Sequence, residues 1–160
     1  MKMIVPNLWF DTQAEEAARY YVSIFKNSKV KEITHYGESA AEVSKVPKGT
    51  VLTVNFELNG QRFTGINGGP MFKFNEAVSF LIECEDQAEV DYYWDKLLEG
   101  GEPQACGWLK DKYGLSWQVV PIALETMMLD PDKAKAERMM AAMLKMVKLD
   151  LAELEEAFNG

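Results

Sequence analysis

A short internal repeat constrains this chain more than any other feature. Gln13-Ala14-Glu15 returns as Gln87-Ala88-Glu89, 74 residues further on. Each copy follows an extended apolar segment and sits directly behind a residue suited to cap a helix, Thr12 in the first and Asp86 in the second. A glutamate lies three residues past each cap, the capping-box spacing in which side chains satisfy the free amides of a helix start. Two helices therefore begin alike. Three shared residues carry little by themselves, and the segments behind them carry the argument.

Behind the first helix, Val30 to Tyr36 reads as a strand. Val51 to Leu58 then alternates Leu52, Val54, Phe56 and Leu58 against Thr53, Asn55 and Glu57, the pattern of a strand with one buried face. Asn59-Gly60 is a two-residue hairpin turn, because both residue types tolerate positive φ, and Gln61 to Ile66 returns as its partner. In the second half Val78 to Cys84 is a strand, and Asp86 to Leu98 a helix with Val90, Tyr93, Trp94 and Leu97 on one face, stopped by Gly100-Gly101. Residues 102 to 110 and 115 to 120 give further strands around a turn at Asp111 to Gly114, with the third strand of this half poorly marked. The order strand, helix, three strands, taken twice, predicts an α+β fold of two βαβββ modules, residues 3–67 and 78–121.

After Pro121 the composition changes. Six of the nine methionines fall there, at 127, 128, 139, 140, 143 and 146. Residues 122–160 read as a helical tail, with Asp130 capping a helix that has Pro131 at its first position. Asp150, with Glu153 behind it, starts another that carries Leu151, Leu154 and Phe158. The stretch from Gly37 to Gly49, small and polar, reads as a mobile loop. A chain of 160 residues without a long linker is expected to form one domain over 1–160.

Composition excludes several functions. Hydrophobic content of 48% and charged content of 26% are those of an ordinary globular protein. No apolar run approaches the roughly 18 residues of a membrane span, and Met1-Lys2-Met3-Ile4-Val5-Pro6 lacks signal-peptide character, so no membrane association and a cytoplasmic location are expected. Two cysteines, Cys84 and Cys106, without metal spacing predict reduced structural thiols. A net charge of -8 and no basic cluster argue against nucleic acid as a partner.

Two segments bracket the second half's strand and helix: Asn67-Gly68-Gly69-Pro70-Met71-Phe72-Lys73-Phe74-Asn75-Glu76, and Cys106-Gly107-Trp108-Leu109-Lys110-Asp111-Lys112-Tyr113-Gly114-Leu115-Ser116-Trp117-Gln118-Val119-Val120-Pro121. Together they resemble the PhnB-like branch of the vicinal oxygen chelate superfamily, which also holds glyoxalases, extradiol dioxygenases and bleomycin resistance proteins. The resemblance spans residues 3 to about 125. It implies two curved sheets around a cleft. Metal-bearing relatives draw ligands from the first and last strand of each half, mostly histidine and glutamate, because a divalent metal needs imidazole or carboxylate donors.

Those slots hold weak donors in this sequence. The first-strand slot falls at Val5 or Pro6, its counterpart 74 residues on is Ser79, and the last-strand slot of the second half is Gln118. Between Gln61 and Asn75 there is no His, Cys, Asp or Glu. Neither a metal nor another cofactor is therefore expected. Strand alternation turns Ser79, Leu81 and Glu83 toward the cleft, with Val5, Asn7 and Trp9 their counterparts, and puts Gln118 with Ser116 and Val120 on one face. Asn7, Trp9, Ser79, Glu83 and Gln118 are thus the candidate ligand-binding residues, in a pocket with apolar walls for an unidentified small molecule.

The expected function is metal-free binding of a small organic molecule. The alternatives are a metal-dependent glyoxalase or dioxygenase-type enzyme and the 3-demethylubiquinone methyltransferase activity that members of this branch carry as a label. The first strand ends Phe10-Asp11-Thr12-Gln13, without the glycine-rich turn of nucleotide-binding methyltransferases. Glu83 would serve as a base if burial raised its pKa. His35, the only histidine, and Cys106 read as non-catalytic, and Gly68-Gly69-Pro70 as a structural turn lacking the lysine and hydroxyl of a phosphate loop. Trp108 and Trp117 read as core or interface aromatics. The tail's two apolar stripes, Met139, Met143, Met146 and Met140, Leu144, Val147, need cover on two sides, which predicts a symmetric homodimer.

Overall fold

Alternating burial builds the first unit, Met1–Lys73, in the computed structural model, which describes residues 3–160. Met1 and Lys2, the start of the segment read for a signal peptide, lie outside the described residues. Asn7–Phe10 (β1), Lys29–His35 (β2), Val51–Leu58 (β3) and Gln61–Asn67 (β4) form one sheet in the order β1-β4-β3-β2. β1 runs parallel to β4, and the other pairs are antiparallel. The helix Ala14–Ile24 (α1) covers one face, its Ala17, Ala18 and Tyr21 packed against Leu8, Phe10, Val54 and Phe63. Small alanines bring the helix close to the sheet, and Phe56 stacks on both Tyr21 and Phe63 with ring centroids 6.2 Å and 5.4 Å away.

Phe74–Gly160, the second unit, repeats this topology. Ser79–Cys84 (β5), Glu102–Pro103 (β6), Trp108–Lys110 (β7) and Ser116–Pro121 (β8) order as β5-β8-β7-β6, first strand again parallel to last. Gln87–Leu98 (α3) lays Val90, Trp94 and Leu97 on the inner face, where Cys84, Leu109, Trp117 and Val119 are buried. Behind β8 come Ile122–Met128 (α4), Lys133–Met143 (α5) and Leu151–Asn159 (α6). They gather a second core of Leu124, Met127, Met139, Leu149 and Leu154, with Met143, Met146 and Phe158 against it. The predicted α+β class and two βαβββ modules with a helical tail are what the chain forms.

Four local expectations need correction. Thr12 does not cap α1: Asn67, beside Phe10 in the sheet, presents its Oδ1 to the Ala14 amide at 2.8 Å, a cap from 53 residues away. Asp130 does not cap α5, because its carboxylate accepts the Asp132 amide at 2.8 Å, and Asp132 caps instead through the Ala134 and Lys135 amides. The Gly37–Gly49 stretch contains a helix, Glu38–Ser44 (α2), which buries no residue and so shows no apolar period, and which ends at Lys45 in the left-handed region, φ 59°. Within 102–110 the strands are short, because the segment turns at Cys106 and Gly107, both at positive φ. Asp86 and Asp150 cap as predicted, each accepting the amide of the glutamate three residues on.

Candidate functional site

Pairing register decides which side chains share the face of the second sheet that α3 leaves open. Ser116 pairs with Ser79 and Lys110, Gln118 with Leu81 and Trp108, and Val120 with Glu83. Paired residues point the same way, so these eight lie on one face in three rows. The middle row runs Trp108, Gln118, Leu81, and the Gln118 Nε2 donates across to the Ser79 Oγ at 2.8 Å. Lys110 is the one cation among the described residues of this face, and Glu76 takes its ammonium at 2.5 Å while also accepting from Gln104. The Lys110 bond, with a backbone contact and Gln104 behind it, holds the Glu76 carboxyl below the usual range, and Lys110 is raised in return.

α4 leaves β8 directly at Pro121 and turns across one end of this face. Between helix and sheet lies a cavity of about 570 Å³. Leu81, Trp108, Val120, Met128 and Met143 give it apolar walls, and Gln118, Glu83 and Glu125 its polar groups. Cys106 also borders it, in a left-handed conformation (φ 58°) held where its amide and that of Gly107 donate to the Met146 and Val147 carbonyls at 2.9 Å and 2.8 Å. The tail thus forms one wall of the cavity and fixes its rim. A volume of this size falls within the roughly 300–1,000 Å³ of small-molecule sites, and apolar walls with few polar groups are their usual lining.

Of the five sequence candidates, Ser79, Glu83 and Gln118 lie on this face, and Glu83 and Gln118 line the cavity. Ser79 contributes through its bond to Gln118. Asn7 and Trp9 belong to the first unit. Asn7 is exposed and its amide donates to the Val5 carbonyl at 2.9 Å. Trp9 packs edge-on to Phe72 with centroids 4.9 Å apart, and its indole N–H donates to the Gly69 carbonyl at 2.9 Å. Any Cβ at Gly68 would come within 2.1 Å of that indole, and the Gly68 and Gly69 amides already donate to Phe10 and Asp11. The glycine turn is a seat for Trp9 and has no amides left for phosphate. His35 is exposed at the end of β2.

Sequence reasoning missed Trp108, Glu125, Met128 and Met143 as lining residues. Trp108 was legible from the hairpin register around Asp111. The buried Asp111 carboxylate fixes that turn by accepting the Tyr113 and Leu115 amides and the Trp117 indole. The three tail residues follow no strand pattern and had no signal.

A further cavity, about 530 Å³, lies in the first unit beside Tyr36, Thr50, Asn67 and Pro70. Its most buried polar group, Asn67, is fully engaged: it caps α1, donates to Val51 at 3.1 Å and accepts the Tyr36 hydroxyl on its carbonyl at 2.6 Å. Its other polar lining residues include Asp11, Thr12 and Ser44, all of them exposed.

The donors at the positions where relatives hold a metal do not fit one. Ser79 and Gln118 offer a hydroxyl and an amide already bonded to each other, and Val5 offers no donor. Among the described residues no three His, Cys, Asp or Glu side chains gather as a metal ion would need. Cys84 is packed under α3, where burial first and the Glu89 charge second push its thiol up to about 12. It cannot act as a nucleophile near neutral pH.

Comparisons with known proteins agree with this architecture. The chain is similar to the PhnB protein of Bacillus cereus, at 34% identity over 75% of this chain and 99% of that one, with a TM-score of 0.66. A Pseudomonas aeruginosa protein aligns at 19% identity over 76% and 98% of the two chains, with a TM-score of 0.61, and so shows the fold alone. The same holds for the fosfomycin resistance protein FosX of Listeria monocytogenes, in a form complexed with Mn(II) and sulfate, at 14% identity over 79% and 94% and a TM-score of 0.52. No curated protein matches the sequence. The sequence profile of 3-demethylubiquinone-9 3-methyltransferase matches residues 2–120, and with the Bacillus cereus similarity this makes the chain a member of that PhnB-like family, built on the vicinal oxygen chelate fold.

Proposed function

We propose that the protein binds a small organic molecule, without a metal, in the cavity between the open face of the second sheet and α4. The observation that carries this reading is the lining itself: apolar walls from Leu81, Trp108 and Met143 around the polar groups Gln118 and Glu83. Ser79 holds the Gln118 amide by its Nε2, which leaves the Oε1 to accept from a ligand. In this role Ser79 positions Gln118, and Glu83 sets the polarity of the rim.

The methyl transfer in the family's description is not extended to this chain. Two mixed four-stranded sheets lack the doubly wound parallel sheet and glycine-rich first turn that serve dinucleotide and related cofactors. A metal enzyme of the FosX kind is disfavoured by the Ser79 and Gln118 donors. Native mass spectrometry of freshly purified protein tests the reading. A retained organic mass, or its uptake from a metabolite extract with no metal increment, is the expected result. One equivalent of zinc, iron, manganese or nickel per chain would overturn the metal-free part.

A further inference from the structure

The cavity's charge narrows its occupant, in an inference that rests on reading the cavity as a ligand site. Among the described residues its charged lining is Glu83 and Glu125, one from the sheet and one from the helix across it. Neither carboxylate has a hydrogen-bond or ion-pair partner among the described residues. Lys110, the one cation among the described residues of this sheet face, is not a lining residue and is held by Glu76. The Gln118 Nε2 is engaged with the Ser79 Oγ, and its Oε1 has no partner among the described residues. Gln118 and the two glutamates therefore offer acceptors to the cavity, and two of those three groups are anionic.

We infer that the ligand is an apolar molecule with a cationic end, a protonated amine in the simplest case, its charge toward Glu83 and Glu125 and its body against Trp108, Leu81 and Met143. An anion would meet two unneutralised carboxylates on a chain of net charge -8. A neutral ligand would gain at most a hydrogen bond from each. A cation gains from both, while its apolar body packs against Trp108 and Met143.

Three probes with one apolar body separate the possibilities: 4-phenylbutan-1-amine, 4-phenylbutan-1-ol and 4-phenylbutanoate, titrated into 15N-labelled protein at pH 7 and low salt. The readouts are the Trp108 indole N–H and the Gln118 side-chain amide. Ligands of this size are expected to bind with roughly millimolar constants. The amine should bind at least about fivefold tighter than the alcohol, with the carboxylate weakest. Glu83→Gln with Glu125→Gln should bring the amine to the alcohol's affinity and leave the alcohol's unchanged. Equal affinity of amine and alcohol for the wild-type protein, or a preference for the carboxylate, overturns the cationic class while leaving the cavity as a site. An amine advantage that survives both substitutions overturns the assignment to these two residues. No shift at Trp108 or Gln118 with any probe overturns the cavity reading, and this inference with it.

Discussion

Gln87 grips the chain on both sides of Leu149-Asp150: its Oε1 accepts the Leu151 amide at 2.8 Å, and its Nε2 donates to the Leu149 carbonyl at 3.1 Å. These bonds span more than sixty residues and attach the start of α6 to the first turn of α3. Gln13, its repeat counterpart, only accepts the Thr12 amide at 3.3 Å. Gln87→Ala should therefore cost roughly 1–2 kcal/mol and Gln13→Ala under about 0.5, measured by urea denaturation. Hydrogen exchange should quicken over α5 and α6 in the first variant alone. Equal losses in the two would show that the tail does not depend on this grip.

Asn67 predicts a larger loss. Removing its side chain leaves the Ala14 amide and the Val51 carbonyl without partners in a position only 5% exposed. Asn67→Ala should destabilise by about 2–3 kcal/mol, and Thr12→Ala by no more than about 0.5, because Thr12 does not make the cap. The two midpoints in denaturant check this directly.

The cysteines should separate by pH. An unfolded thiol ionises near 8.5, whereas Cys84 in the folded chain stays protonated to about 12, mainly through burial. Between those values the native state holds the extra proton, so stability falls as pH rises, and the contribution is complete below about 8.5. At pH 8 a thiol reagent should label Cys106 promptly and Cys84 only at the rate of unfolding. Rapid labelling of both would contradict the burial of Cys84.

Chelation gives a direct test of the donor set. With Ser79 and Gln118 bonded to each other, overnight dialysis against EDTA should leave the melting temperature within about 1 °C, the scatter of a change well below 1 kcal/mol. Manganese or zinc added back should not raise it. A chelator-induced drop restored by one metal would mean that carboxylates from elsewhere complete a site.

Assembly is the remaining proposal. Leu144 and Val147 are 63% and 50% exposed, while Met139, Met143 and Met146 pack inward. The expected single helix ends at Met143, so Leu144 and Val147 lie in the turn behind α5 and form no second helical stripe, and we propose that a second copy covers them. Leu144→Glu with Val147→Glu should convert a dimer to an 18.1 kDa monomer in light scattering without loss of helicity. A wild-type monomer at micromolar concentration rejects the proposal.

The fold was legible because both modules advertise it through period-two strands and the repeated helix start. What escaped was non-local. The cap on α1 comes from Asn67 in a neighbouring strand, and no spacing around Thr12 could announce it. Helix α2 buries nothing, so it left no apolar period to read. Within the candidate site, alternation placed Ser79, Glu83 and Gln118 on one face, as their registers do. Glu125, Met128 and Met143 reach the cavity only because α4 and α5 fold back, a tertiary event with no signature in strand alternation.

The parallel neighbours β5 and β8 end at the same edge, where Cys84 lies opposite Pro121. Whatever the chain adds after Pro121 must therefore begin beside Glu83, whatever its own sequence. Lengthening or trimming that appendage would resize the compartment while the sheet beneath it keeps its hydrogen bonds. In the first module the equivalent exit after Asn67 is taken up by the turn that seats Trp9. The second module thus leaves at this edge an exit that the tail occupies, and the first does not.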